Sequence, residues 1–164
     1  MATRRREPDE RPVTAADVTH FIERYCRVPE GPLVGRPLKL ADFQVDFLRG
    51  IYDNPHGPTR RAFLSTGKKN GKSALAASLM LAHLCGPPAR PNSQLYSTAL
   101  NRAQAALVFD AAAKMIRLNP ELERAVRIME SAKTLVCGEL GTPVPQPFRR
   151  RAVCAWIVAS VRDP

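Results

Sequence analysis

The sequence predicts an α/β fold in which a partial, mostly parallel sheet is flanked by helices. Short apolar runs typical of buried strands alternate with longer stretches whose apolar residues recur at helical spacing. A strand, a polar loop and a helix are predicted to follow one another over residues 60–84, an arrangement typical of parallel sheets. The chain has 164 residues, 45% of them hydrophobic, which leaves room for about one domain with its own core.

The N-terminal part predicts a tail followed by a first helix. Residues 1–12 are charged and contain proline, so we expect this segment to be disordered. Thr14, with Asp17 three residues later, has the pattern of a capping box in which Asp replaces Glu. The next apolar residues recur at i, i+3, i+4 and i+7, which predicts a buried helical face made of Val18, Phe21, Ile22 and Tyr25.

A second amphipathic helix is predicted over residues 40–52, after a stretch broken by glycine and proline. Gln44 lies beside its apolar face. A glutamine amide can donate to and accept from the N6/N7 edge of adenine, but on position alone a solvated helix glutamine is the favoured interpretation. The apolar face itself consists of Leu40, Phe43, Phe47, Leu48 and Ile51.

The rest of the chain continues the alternation of strands and helices. The apolar run Ala62–Leu64 is consistent with a buried strand, and Asn101 is placed to cap the start of a long helix. That helix would turn Ala105, Phe109, Ala112 and Ile116 inward. Further strands are predicted at 94–99 and 134–137, and further helices at 71–84 and 121–128.

The segment that joins the 62–64 run to the next helix has the layout of a phosphate-binding loop. A polar loop over 65–70 leads into Gly71-Lys72-Ser73, which opens the helix. Backbone N–H groups in such a loop form an anion nest, and the helix N-terminus adds the positive end of its dipole. Lys72 would reach the β- and γ-phosphates of a nucleotide, and the Ser73 hydroxyl would ligand Mg²⁺.

The loop departs from the standard phosphate-loop pattern at its first position. Thr66 occupies the place of the first glycine, and Gly67 follows one position later. The alternative interpretation is a solvated basic turn between a strand and a helix. Lys68, Lys69 and Lys72 in one tight loop repel each other unless an anion lies among them, which favours phosphate binding.

The charge of the chain points to an acidic partner. The formal net charge is +10, as expected for a protein that meets nucleic acid, a nucleotide or an anionic surface. No acidic residue occurs between Asp53 and Asp110. The same span holds seven basic residues: Arg60, Arg61, Lys68, Lys69, Lys72, Arg90 and Arg102. The positive field of the chain is therefore centred on the predicted phosphate-binding loop.

The cysteine spacing and the hydropathy bear on the compartment. The four cysteines are far apart and form no C-x-x-C pair, so we interpret them as reduced cytosolic thiols, not as a zinc site or a disulfide frame. No segment has the pattern of a signal peptide, and no apolar run is long enough to span a membrane. We therefore expect a cytoplasmic protein with no membrane partner.

Three motifs occur in order along the chain. The first is a helix with the motif Leu-x-x-x-Gln, in which Gln44 is the glutamine. The second is a Lys-Asn-Gly-Lys-Ser loop over 69–73, and the third is a strand followed by Asn-Arg-Ala-Gln-Ala over 101–105. Each motif alone is weak, but together they resemble the N-terminal ATPase region of tailed-phage terminase large subunits. These are the DNA-packaging motors of phages and prophages. The resemblance covers about Val18 to Gly138, most of the chain.

The resemblance implies a P-loop NTPase-type domain that binds ATP and Mg²⁺. It implies that Gln44 contacts adenine, which reverses the interpretation favoured on position alone. In this family an arginine early in the loop is often proposed to act on the γ-phosphate; Lys68 stands in that place, and lysine supplies charge without a planar fork. Lys72 and Lys68 would then be the catalytic cations. The phosphate-binding residues implied by the resemblance are Lys69, Asn70, Gly71, Lys72 and Ser73.

The resemblance also implies partners and a location. The intact family works on double-stranded DNA with a terminase small subunit and a portal protein. A homo-oligomeric motor ring is expected only for the full-length protein. The compartment would be the cytoplasm of a bacterial host cell.

The sequence departs from the family after Gly138. The family's next landmark is a hydrophobic strand that ends in Asp-Glu, where Asp holds Mg²⁺ through water and Glu activates the attacking water. Glu139 is the only candidate for this pair. We therefore expect a truncated or frame-shifted prophage product, with a partial ATPase domain at 13–140, a non-family tail at 141–164 and no meaningful ATP hydrolysis by the isolated chain.

Three alternatives remain open at the level of sequence. One is a full-length small relative with a divergent end. The others are another P-loop NTPase, such as a helicase, and a non-catalytic remnant that binds nucleotide or DNA.

Overall fold

The computed structural model describes residues 11–90 and 93–138, together with the backbone of 152–154. The predicted tails at 1–12 and 141–164 lie outside the described residues except for 11–12 and 152–154, and Glu139 lies outside them as well. The described residues combine helices and strands. In chain order these are α1 (Ala15–Tyr25), α2 (Asp42–Tyr52), α3 (Lys72–Cys85), β1 (Ser93–Leu95), α4 (Arg102–Arg117), α5 (Pro120–Ala125), β2 (Val126–Met129), β3 (Thr134–Cys137) and β4 (Ala152–Cys154).

Helix α1 begins where the capping pattern predicts. Thr14 Oγ1 accepts the Asp17 N–H at 3.3 Å, and Asp17 Oδ2 accepts the Thr14 N–H at 3.0 Å, which is the reciprocal pairing of a capping box. Hydrogen bonding from Arg11, helped by Thr14, lowers the pKa of Asp17 to about 2. The capping box is confirmed, and so is the apolar face, since all four of its residues are buried.

Helix α2 begins at Asp42, so Leu40 precedes the helix. Leu48 is fully buried, whereas Phe43 is 41% exposed. The predicted apolar face is therefore only partly right: the first turn of α2 points Phe43 outward, and the buried residue of that turn is Gln44.

Helices α3 and α4 pack against each other and form the centre of the core with α1. Helix α4 is capped as predicted, because Asn101 Oδ1 accepts the Gln104 N–H at 2.9 Å. Its inward residues Ala105, Phe109, Ala112 and Ile116 are all buried, which confirms the predicted face. None of the helices within 11–90 and 93–138 combines the length and the apolar character needed to cross a bilayer.

The prediction of a mostly parallel sheet is not confirmed. The four strands lie in the order β1-β4-β3-β2, and only β1 and β4 run parallel. The helix predicted over 121–128 ends at Ala125, and the chain enters β2 at Val126. The short turn at 130–133 then leads directly into β3, and strands joined by so short a connection pair antiparallel.

The prediction of a strand at Ala62–Leu64 is wrong. No strand is assigned there, and the Phe63 side chain is 89% exposed. A strand needs a neighbour that satisfies its backbone N–H and C=O groups, and no strand in the described ranges pairs with this segment. The strand predicted at 94–99 is also shorter than expected, since β1 spans only Ser93–Leu95.

The end of α3 leaves no room for a side chain at Gly86. A Cβ on Gly86 would lie 2.8 Å from the Ala82 carbonyl oxygen and 3.0 Å from Phe21 Cδ2. Because the Ala82 carbonyl belongs to the helix backbone, it has little freedom to retreat. We expect Gly86→Ala to lower the free energy of unfolding by about 1–3 kcal/mol, the usual cost of overpacking, as measured by urea denaturation.

Gly50 provides the matched control for this substitution. It lies inside α2, and a Cβ there would meet nothing within 4 Å. Gly50→Ala should therefore raise the free energy of unfolding by roughly 0.5–1 kcal/mol, because alanine restricts the unfolded chain and favours the helix. Equal unfolding midpoints for the two variants would contradict the proposed clash at Gly86.

Candidate nucleotide-binding site

The candidate site is built on residues 66–73, which we call the phosphate loop. Two of its residues adopt left-handed backbone conformations: Lys69 with φ 66° and Gly71 with φ 70°. Helix α3 starts immediately after Gly71, and its first turn has neither a side-chain cap nor an acidic residue. The N–H groups of that turn lie at the positive end of the helix dipole and can therefore bind an anion.

Lys72 lies across the phosphate loop. Its Nζ donates to the carbonyl oxygens of Thr66 at 2.8 Å and Gly67 at 2.6 Å. The ammonium group is therefore held against the backbone of the two residues that open the loop. Ser73 follows in the first turn of α3 and is exposed.

Gln44 reaches the phosphate loop from α2. Its Nε2 donates to the Asn70 carbonyl oxygen in a long hydrogen bond of 3.4 Å, and its Oε1 accepts the Ala41 N–H at 3.0 Å. Only 8% of Gln44 is exposed. The interpretation of Gln44 as a solvated helix residue is therefore excluded, and the sequence-distant motifs at Gln44 and 69–73 meet in space.

Helix α2 also contacts α3, at the end of α2 away from Gln44. The Tyr52 hydroxyl and His83 Nε2 lie 2.7 Å apart, and the two rings are stacked. Burial raises the pKa of Tyr52 to about 12, and burial followed by the charge of Arg90 lowers the pKa of His83. Sequence reasoning missed this pair, since no local pattern joins residues 31 positions apart.

The electrostatics of the loop are positive. Lys68, Lys69 and Lys72 are all exposed along it, and so are Arg60 and Arg61 on the segment that leads into it. The chain carries no acid between Asp53 and Asp110 to offset these charges. The region suits a polyanionic ligand such as a nucleotide phosphate chain.

The structure thus brings most of the predicted site residues together, although their roles remain predictions. Thr66, Gly67 and Lys72 are joined by hydrogen bonds, and Asn70 is joined to Gln44. The left-handed conformation of Lys69 was not anticipated, because lysine carries no signal for it. The described residues contain no cluster of His, Cys, Asp or Glu that could by itself hold a metal ion.

Comparisons with known proteins identify relatives of this chain. A family profile described as the terminase large subunit, ATPase domain, matches residues 43–150. The terminase large subunit of Enterobacteria phage HK97 is 53% identical over 119 residues, which is 73% of this chain and 23% of that protein. The crystal structure of the HK97 bacteriophage large terminase superposes with a TM-score of 0.71 at 41% identity, over 92% of this chain and 28% of that one.

The fold, of mixed helix and strand content, is that of an ATPase domain, and an ATPase domain uses a nucleotide. The chain belongs to the family of terminase large subunit ATPase domains. This confirms the resemblance drawn from the three sequence motifs. The chain spans about a quarter of the length of the relatives it matches.

Proposed function

We propose that residues 13–140 form a P-loop NTPase-type domain that binds ATP with Mg²⁺ through the phosphate loop and Gln44. The observation that carries this proposal is the meeting of Gln44 with the Asn70 carbonyl across 26 positions of sequence. A buried amide that touches a cationic, glycine-containing loop offers hydrogen-bonding groups for a base beside hydrogen-bonding groups for phosphates. The Gln44 motif and the phosphate loop have no need to lie close together unless one ligand spans both.

The residues present fit a nucleotide and its metal. The left-handed residues of the loop, the open start of α3 and Lys72 supply donors and positive charge for phosphate oxygens. Ser73 would hold Mg²⁺, and the metal would neutralise charge on the β- and γ-phosphates. Lys68 would add positive charge near the γ-phosphate in place of the arginine implied by the family resemblance.

The role of the whole protein is also a proposal. We place this domain in a motor that couples nucleotide use to the movement of double-stranded DNA in a bacterial host cytoplasm. A terminase small subunit, a portal protein and a ring of identical copies are its proposed partners. The family assignment supports this role, and the exposed basic residues Arg60 and Arg61 are compatible with a polyanionic partner.

Titration calorimetry of the purified chain with ATP and Mg²⁺ tests nucleotide binding, and the identity of the base tests Gln44. Adenine presents a donor and an acceptor where guanine presents two acceptors. We expect ATP to bind more tightly than GTP by roughly 1–3 kcal/mol. Gln44→Ala should remove most of this preference, because it removes both groups that read the base.

Gln94 provides the control for the base preference. It is the exposed residue of strand β1 and lies outside the phosphate loop in sequence, and Gln94→Ala removes the same functional group. That variant should keep the wild-type ratio of ATP to GTP affinity. Indistinguishable ATP and GTP affinities in the wild-type chain would remove the adenine role of Gln44.

A further inference from the structure

We propose that Gln44 is a positioning residue for the phosphate loop: its amide holds the peptide plane between Asn70 and Gly71 so that the Gly71 N–H faces the phosphates. This inference rests on the proposed function and assigns the same side chain a second task. Base recognition requires only that Gln44 touch adenine. The contact with the Asn70 carbonyl is additional, and it concerns the loop itself.

The Gln44 amide is held at both ends. Its Oε1 accepts the Ala41 N–H at 3.0 Å, which ties it to the start of α2, and its Nε2 donates to the Asn70 carbonyl oxygen. The side chain is buried, so its rotamer is restricted by its surroundings. The loop carbonyl is thus fixed by a side chain that is itself anchored to a helix.

The geometry of the peptide bond transmits this restraint to the other side of the loop. The Asn70 carbonyl and the Gly71 N–H belong to one planar trans peptide, in which the two groups point in opposite directions. Holding the carbonyl toward Gln44 therefore turns the Gly71 N–H away from α2. A loop N–H with that orientation is a donor for a phosphate oxygen.

The loop needs an external restraint because its conformation is strained. Lys69, with φ 66°, precedes the held peptide, and Gly71, with φ 70°, follows it. A non-glycine residue in this region persists only where the surrounding structure enforces it. The approach to Gln44 is also close, since a Cβ on Gly71 would lie 3.4 Å from Gln44 Nε2. The absence of a side chain at Gly71 thus keeps this approach open.

The amide retains capacity for a base. A glutamine side chain offers two N–H donors and two acceptor lone pairs, and the contacts with Ala41 and Asn70 use one of each. One donor and one acceptor remain for the adenine edge. Adenine binding would then order the same amide that holds the loop, so that base recognition and phosphate binding reinforce each other.

Binding of inorganic tripolyphosphate, which has no base, separates the two tasks. Gln44→Met keeps the volume of the side chain and removes both hydrogen bonds. We expect this variant to bind tripolyphosphate roughly 3- to 10-fold more weakly than the wild type, the effect of one lost hydrogen bond. The control Gln94→Met, at the exposed position of β1, should bind tripolyphosphate as the wild type does. If Gln44→Met weakens ATP binding but leaves tripolyphosphate binding unchanged, Gln44 reads only the base and the inference is overturned.

Backbone ¹⁵N relaxation of the protein without added ligand provides a readout that does not depend on nucleotide binding. We expect lower order parameters at Asn70 and Gly71 in Gln44→Met, because the peptide between them loses its restraint. Gln44→Glu keeps an acceptor for the Ala41 N–H but has no donor for the Asn70 carbonyl, so it should also lower the order parameters at these two positions. Wild-type order parameters in Gln44→Glu would overturn the positioning role. A wild-type chain that binds neither ATP nor tripolyphosphate would instead refute the proposed function, and the order parameters would still decide whether Gln44 restrains the loop.

Discussion

Replacing Lys72 with alanine is expected to weaken binding of ATP with Mg²⁺ by about 100-fold. Hydrogen bonds that involve a charged group contribute about 1.5–3 kcal/mol each, and Lys72 would donate to more than one phosphate oxygen. The net contribution of these hydrogen bonds to ATP binding is smaller, because the ammonium group already donates to the Thr66 and Gly67 carbonyls in the absence of ATP. Lys72 would exchange these carbonyls for phosphate oxygens, so the net loss on substitution corresponds to about one strong bond or slightly more. Titration calorimetry at fixed ionic strength measures the change.

Lys39→Ala controls for the loss of one positive charge. Lys39 lies outside the phosphate loop in sequence, is exposed, and pairs with Glu23 at 3.0 Å. An exposed pair of this kind contributes little to stability, so the variant should fold normally and bind ATP as the wild type does. Equal ATP affinity in wild type and Lys72→Ala would mean that residues 66–73 do not bind the phosphates.

Phe109→Ala is expected to lower the free energy of unfolding by roughly 3–5 kcal/mol. Phe109 is fully buried in the core on α4, and Lys133 Nζ lies 4.9 Å from the centre of its ring. The substitution removes the apolar contacts, leaves a cavity and deprives the Lys133 ammonium of its aromatic neighbour. Domains of this size are stable by only about 5–15 kcal/mol, so the variant would lose a large part of its stability. Urea denaturation followed by circular dichroism measures the loss.

Leu107→Ala, on the same helix, is the control for this experiment. Leu107 is 56% exposed, and a surface substitution of this kind usually changes stability by less than about 0.5 kcal/mol. The comparison separates burial from helix propensity, because both variants place alanine in the interior of α4. Similar losses in Phe109→Ala and Leu107→Ala would contradict the assignment of Phe109 to the core.

The features that the sequence determined by itself are those fixed by neighbouring residues. Thr14 and Asp17 cap α1 because the two side chains are three positions apart, and Asn101 caps α4 in the same local way. Periodicity identified the buried faces of α1 and α4, since helical spacing alone decides which residues share a side. The start of α3 at Lys72 and the strand at 134–137 were also predicted from local signals.

The features that only the tertiary structure decided depend on distant partners. Whether Ala62–Leu64 forms a buried strand depends on whether another strand lies beside it. The antiparallel direction of β2 and β3 depends on a switch from helix to strand at Val126, which the helical pattern of the sequence concealed. Gln44 could not be distinguished from a solvated glutamine by its position in α2. It became a candidate site residue because packing buries it and places its amide against the Asn70 carbonyl, and a contact across 26 positions is set by the fold, not by the local chain.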